Sequence, residues 1–195
     1  VGDSSLASEL SKLTTSNENG WYLYENKYYA KLTAKPLLDN SVFSNGSIVG
    51  RGVTYWFECE PILWNILSNN NNEYCVMSNY LLDTMRFNER YPGAKDGHYA
   101  NNYEYSEIRQ WLNNDFYNSA FSFDNSGIKT TVVDNGASTT DENSSQFVCN
   151  NTEDKVFLLS YRDHSEFDTG LTSYRYYQRR CKTTDWAIAK GANLF

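Results

Sequence analysis

Apolar residues along the chain follow two periods. From Ser106 to Phe121, "SEIRQWLNNDFYNSAF", Ile108, Trp111, Leu112, Phe116, Ala120 and Phe121 fall on one helical stripe, opposite Arg109, Gln110, Asn113, Asn114 and Asn118. Ser106 fits an N-cap, and Glu107 suits the positive helix end. Elsewhere the period is two. "GWYLYENKYYAKL" (20–32) reads as two aromatic strands around Glu25-Asn26. "VTYWFECEPILWNILS" (53–68) reads as one long strand, half-exposed before Pro61 and buried on both faces after it. "EYCVMSNYLL" (73–82) returns as a hairpin partner across an Asn69–Asn72 loop, with Ser68 facing Glu73. "IKTTVVD" and "DKVFLLSY" (154–161) add strands, the second of them buried, and Asn45-Gly46 marks a turn. "TTDWAIAKG" is a short helix capped by Thr184 or Asp185 and closed by Gly191. Residues 135–146 are too polar to pack and read as a mobile surface loop.

This order predicts an α+β fold, a mainly antiparallel sheet with one principal amphipathic helix (106–121) packed on it and long loops. Trp111, Leu112, Phe116 and Phe121 are expected to dock through Trp64, Ile66, Phe157 and Leu159, so that Trp111→Ala costs about 3–5 kcal/mol. Arg109 and Asp154 are expected to form a buried polar pair. Residues 1–19 read as an N-terminal arm or stalk in which Leu6, Leu10 and Leu13 could form one short amphipathic helix, and 20–195 as a single domain. The absence of an initiator Met before Val1 suggests that a leader or other segment has been removed.

Composition narrows the partners. A formal net charge of −7 argues against general nucleic-acid binding, which needs a basic stripe, and against docking on anionic lipid. No run approaches the roughly 20 apolar residues of a membrane span. Sixteen tyrosines give the chain large contact surfaces with polar tips, suited to recognition as well as to packing. The polar, small-residue opening resembles the stalk that follows an export signal, so an extracellular or cell-envelope location is expected.

Candidate chemistry is sparse. No nucleophile elbow, zinc-protease motif, phosphate loop or dinucleotide fingerprint occurs, and no cofactor is expected. The basic-aromatic run Tyr174, Arg175, Tyr176, Tyr177 and Arg179 is the candidate ligand-binding segment, able to stack on sugar rings or a peptide; its other reading is an edge strand with alternating arginines. Asp163, Glu166 and Asp168 group enough oxygens for calcium but lack an EF-hand's glycine and spacing, so a solvated acidic loop is the plainer reading. Cys149 with His164 is conceivable as a nucleophile pair without any local motif to support it. Cys59, Cys75, Cys149 and Cys181 allow two disulfides or free buried thiols, and none forms a CxxC. A Cys59–Cys75 bridge would need a bulge at Pro61 to bring the two onto one face. Asn45, Asn143 and Asn150 head glycosylation triplets, which an asparagine-rich chain also produces by chance.

Taken in order, "YWFECEPILWNILS", "YSEIRQWLNNDFYNSAF", "TTVVDN", "NNTEDKVFLLSYRD" and "TTDWAIAKG" resemble a bacterial domain of unknown function, the family numbered 6273, from about Gly20 to the end. The resemblance implies a predicted secreted or surface protein and an organisation similar to the C-type-lectin-like fold of formylglycine-generating enzymes and variable adhesion proteins. Family members continue past the "TTDWAIAKG" position into a Trp-, Arg- and Ser-rich segment, so a lectin-like fold here would lack its usual C-terminal strands. The oxidase-type cysteine pair has no counterpart, and that chemistry does not transfer. The expectation is a non-catalytic surface module for a carbohydrate or protein ligand. The alternatives are an enzyme (a hydrolase, or a distant formylglycine-generating relative) and a structural spacer.

Overall fold

A computed structural model describes residues 2–89, 99–140, 145, 148–166 and 181–192, and the side chains among them apart from those of 164–166. The chain divides into two compact units, Val1–Thr84 with Tyr176–Phe195, and Met85–Arg175. The second is thus inserted, in sequence, into the first. The whole is α+β: several small, mostly antiparallel sheets and short helices.

The first unit is built on a three-stranded antiparallel sheet, β1 (Tyr22–Tyr24), β2 (Lys27–Thr33) and β3 (Thr54–Glu58). The β1–β2 turn is Glu25-Asn26, both at positive φ, as the two-residue connection requires. Alternation gives the sheet two apolar faces. Tyr29 and Trp56 point one way and join Leu10 of helix α1 (Ser4–Leu10), with Leu6, Leu13 and Tyr22 around them. Asp3 caps that helix by accepting from the Ser5 and Leu6 amides. Leu6 and Leu10 form the apolar stripe of this helix as expected, while Leu13 lies beyond its end and packs against the same cluster. Leu32, Tyr55 and Phe57 point the other way, against Ala34, Phe43, Val49 and Ile188, the last from helix α5 (Asp185–Lys190). Thr184, one of the two expected caps, caps α5 by accepting from the Ala187 amide, and Gly191 closes it at φ +104 as predicted.

Pro61 breaks the expected long strand into two, β3 and β4 (Trp64–Asn70), which lie in different sheets. Proline lacks the amide a ladder needs. Among the described residues β4 pairs only with β5 (Glu73–Ser78), through a two-residue Asn71-Asn72 turn at positive φ. The four-residue loop expected there is therefore corrected: Asn70, not Ser68, faces Glu73, and Ser68 faces Cys75, with a bulge between Ile66 and Ser68. β6 (Tyr80–Leu81) and β9 (Lys182–Thr183) form a short parallel pair. No disulfide joins the four cysteines, of which Cys181 is exposed and the others are partly buried.

In the second unit the predicted helix is present from Ser106 onward, as α2 (Glu107–Trp111) and α3 (Tyr117–Ala120) joined by a π-helical turn at Leu112–Phe116. Ser106 caps it by accepting from the Arg109 amide. The side-chain amides of Asn113 and Asn114 donate back to the carbonyls of Arg109 and Gln110, a competition with the backbone that accompanies the widened turn. Strands β7 (Thr131–Val133) and β8 (Thr152–Asp154) pair antiparallel. The buried strand expected over 154–161 ends at Asp154. Beyond it, Asn113 takes the place of a neighbouring strand: its Oδ1 accepts from the amides of Lys155 and Val156, and its Nδ2 donates to the Val156 carbonyl. The 135–146 stretch is also corrected in part, since 137–139 form a 3₁₀ turn with Thr139 buried.

Candidate functional site

Two places combine unusual residues with definite geometry, one in each unit. In the second, a polar cluster joins the polar face of the helix, Arg109 and Asn113, to Asp154 of β8. Asp154, only 1% exposed, accepts from Arg109 Nε at 2.8 and 3.1 Å, from Thr152 Oγ1 at 2.7 Å and from Asn113 Nδ2 at 3.1 Å. Arg109 also donates to the carbonyls of Glu104 and Glu153. The pairing of Arg109 with Asp154 is the one foreseen from sequence. The Tyr103 phenol lies in this environment, and burial, followed by the Asp154 charge, pushes it up to about 12. It therefore stays neutral at ordinary pH. With each carboxylate oxygen of Asp154 accepting from protein donors, the cluster locks helix to strand.

The ring stripe of the helix is partly borne out. Leu112 and Tyr117 are buried, while Trp111, Phe116 and Phe121 are half-buried and stack on one another, Trp111–Phe116 at 5.3 Å and Phe116–Phe121 at 6.4 Å between centroids. Phe157 and Leu159 are half-buried. Trp64 and Ile66, expected as their buried seat, lie in the other unit and are exposed.

That exposure defines the second place. On the β4–β5 hairpin, Ile66 stands directly opposite Val76, Trp64 opposite Ser78, and Tyr74 follows two residues before Val76, so all share one face. They are 63% (Ile66), 53% (Tyr74), 42% (Val76) and 37% (Trp64) exposed. The opposite face, with Leu67, Cys75 and Met77, is half-buried. Alternation turns Leu67 inward, and the bulge after Ile66 shifts the phase of β4 so that Ser68 faces Cys75 on the inner side. A continuous run such as "ILWNIL" reads as a strand buried on both faces. Asn65 was the one sequence signal against it, and periodicity alone does not decide which side of a hairpin a layer will cover.

The other sequence candidates fare unevenly. Tyr174, Arg175, Tyr176, Tyr177 and Arg179 lie outside the described residues, as do Asp168 and the side chain of Glu166. The solvated loop read over 162–168 is corrected where it is described: helix α4 (Tyr161–Glu166) occupies it. Asp163 serves as the far half of a capping box, its Oδ2 accepting from Ser160 N and Oγ while its own amide donates back to Ser160 Oγ. Arg162 donates to Asp134, whose carboxyl is held below its usual value by the Gly136 amide and then by Arg162. Among the described residues, no three His, Cys, Asp or Glu side chains gather as metal ligands would. Cys149 is half-buried with its amide donating to the Asn135 carbonyl, and the His164 side chain lies outside the described set. Of the glycosylation triplets, Asn143 is undescribed, Asn45 is exposed, and Asn150 is engaged with Glu104 through both its amides.

The fold and the hairpin face thus define a small α+β domain with an exposed apolar sheet surface and a polar-locked inserted unit. Residues 71–192 match a family model described as Domain of unknown function (DUF6273), more than half of the sequence, and the chain belongs to that family. The match begins within the β4–β5 hairpin, later than the Gly20 start expected from the sequence phrases. Neither the comparison with curated proteins nor that with solved structures gave a match. Among the described residues no helix is long and apolar enough to cross a membrane.

Proposed function

We propose that this chain is a non-catalytic binding module of an exported or surface-displayed bacterial protein, taking a protein ligand on the apolar face of β4–β5. The observation that carries this reading is the shared face of Trp64, Ile66, Tyr74 and Val76, which a folded domain leaves to water only at some cost in solubility. Two aliphatic side chains between two aromatic ones suit an apolar protein surface better than a sugar, which prefers an aromatic platform edged by hydrogen-bonding groups. Family membership, the abundance of tyrosine and the acidic net charge are in keeping with this reading. The secreted location and C-type-lectin-like architecture implied by the resemblance belong to the same proposal.

The test pairs a binding screen against envelope and host surface proteins with a glycan array, each run on the native chain and on Ile66→Asp. Ile66 is exposed, so the variant should fold as the native chain does, which far-UV circular dichroism checks. The expected result is a protein ligand whose affinity falls at least about tenfold in the variant, the cost of placing a charge in an apolar contact. Binding only on the glycan array, blank screens, or an affinity unchanged by Ile66→Asp would each overturn the proposal.

A further inference from the structure

The chain contains three asparagine–glycine pairs, Asn19–Gly20, Asn45–Gly46 and Asn135–Gly136. In an unfolded chain they are chemically alike, because the glycine amide nitrogen has no neighbouring Cβ to hinder its approach to the asparagine side-chain carbonyl. Attack forms a Cγ–N bond and breaks the Cγ–Nδ2 bond. Ammonia leaves with the proton given up by the glycine amide, and a five-membered succinimide remains. Water then opens the ring at either carbonyl, yielding aspartate or isoaspartate, and no other reactant is needed.

The folded chain does not hold the three alike. Asn45 Oδ1 accepts from Ser47 N at 2.9 Å and from Ser47 Oγ at 2.7 Å. Those two donors polarise the carbonyl and are placed to meet the negative charge that develops on Oδ1 as the nitrogen adds. Among the described residues Asn45 Nδ2 donates to no acceptor, so the leaving group is unrestrained, and the space beside Gly46, at φ +82, is open. Asn19 has no donor on its Oδ1 among the described residues. Gly46 N and Gly20 N each donate to a turn carbonyl, of Phe43 at 2.8 Å and of Asn17 at 2.9 Å, so that restraint is common to both pairs. Asn135 is the opposite case. Its Nδ2 is tied to the Asn150 carbonyl at 3.0 Å and to Thr152 Oγ1 at 3.3 Å, and the Gly136 amide is held by the Asp134 carboxylate at 2.9 Å.

The geometry points to Asn45 as a selective site of spontaneous deamidation, with Asn135 protected by the fold and Asn19 between them. The consequence reaches the core. Residues 43–47 form a tight turn through the Phe43 N to Ser47 O bond, flanked by the Val42–Ile48 bridge, and this turn seats Phe43 and Val49 among the buried residues. Isoaspartate would add a backbone carbon and a negative charge to that turn, beside the Asp185 carboxylate that holds Ser44 through N and Oγ.

The experiment incubates the purified chain at mildly alkaline pH, in native buffer and in urea, and maps aspartate and isoaspartate by peptide mass spectrometry. In native buffer Asn45 should convert about 25-fold faster than Asn19, as expected for two net hydrogen bonds of about fivefold each to the developing charge, and faster still than Asn135. In urea the three rates should converge. Ser47→Ala, at an exposed position, should slow Asn45 about fivefold while leaving Asn19 unchanged. Equal native rates at Asn45 and either other pair, a lead for Asn45 that persists in urea, or a Ser47→Ala variant that deamidates as fast as the native chain would overturn the inference.

Discussion

Truncating Asp154 to alanine tests what holds the inserted unit together. Three donors would lose an acceptor at once: the Arg109 guanidinium, the Asn113 amide and the Thr152 hydroxyl. The two neutral donors cost about 1 kcal/mol each. Arg109 keeps its bonds to the Glu104 and Glu153 carbonyls and a quarter of its side chain in water, so its loss falls near the lower end for a charged hydrogen bond, about 2 kcal/mol. The sum, about 4 kcal/mol, sits within the about 3–5 kcal/mol found when one partner of a buried ion pair is removed. At a urea slope of about 2 kcal/mol per molar this moves the unfolding midpoint of α2–α3 down by about 2 M. Pulsed hydrogen exchange along a urea titration reads this directly, with peptides from α2, α3 and β8 as reporters and peptides from β1–β3 as an internal reference. Because Trp111 is half-buried and packs on Phe116, Trp111→Ala should cost about 2 kcal/mol, below the value expected from sequence and below that of Asp154→Ala. A shift under about 0.5 M for Asp154→Ala, or a larger one for Trp111→Ala, would show that rings rather than the polar cluster carry the unit.

Two further outcomes follow from backbone and thiol chemistry. Asn72, at φ +67 in the hairpin turn, should tolerate glycine with a gain of some tenths of a kcal/mol, whereas Asn72→Val should cost about 1–2 kcal/mol; thermal melts of both variants check this, and equal melting temperatures would count against the two-residue turn. Burial pushes the Cys59 thiol up to about 11, ahead of a smaller push from the Glu58 charge and against a lowering contribution from the Ala30 backbone. Its neutral form is favoured by folding, so that contribution to stability is complete below the unfolded value of about 8.5 and is lost as pH rises toward about 11. Alkylation followed by mass spectrometry near pH 8 should label exposed Cys181 well before Cys59, and equal labelling of the two would contradict the burial of Cys59.

Local chemistry was legible in the sequence. The caps at Ser106 and Thr184, the closing glycine at 191, the Glu25-Asn26 turn, the helical stripe of 106–121 and the antiparallel α+β class depend on residues a few positions apart, and propensity and spacing determine them. The Arg109–Asp154 pair was legible too, because a charge of each sign on otherwise packed elements needs a partner. Assignments that depended on distant neighbours went to the tertiary structure. "ILWNIL" looks the same whether a second layer covers both faces or one, and the fold leaves Trp64 and Ile66 on the open side. "DKVFLLSY" carries strand residues throughout, yet Asn113, more than forty positions earlier, takes the hydrogen bonds that a ladder would have used. Likewise, three identical Asn–Gly pairs became unequal only when folding chose which side-chain groups each one meets. Sequence therefore settled what each segment prefers by itself, and the packed chain decided which preferences were overruled, because burial and hydrogen-bond partners are properties of the neighbours that folding supplies.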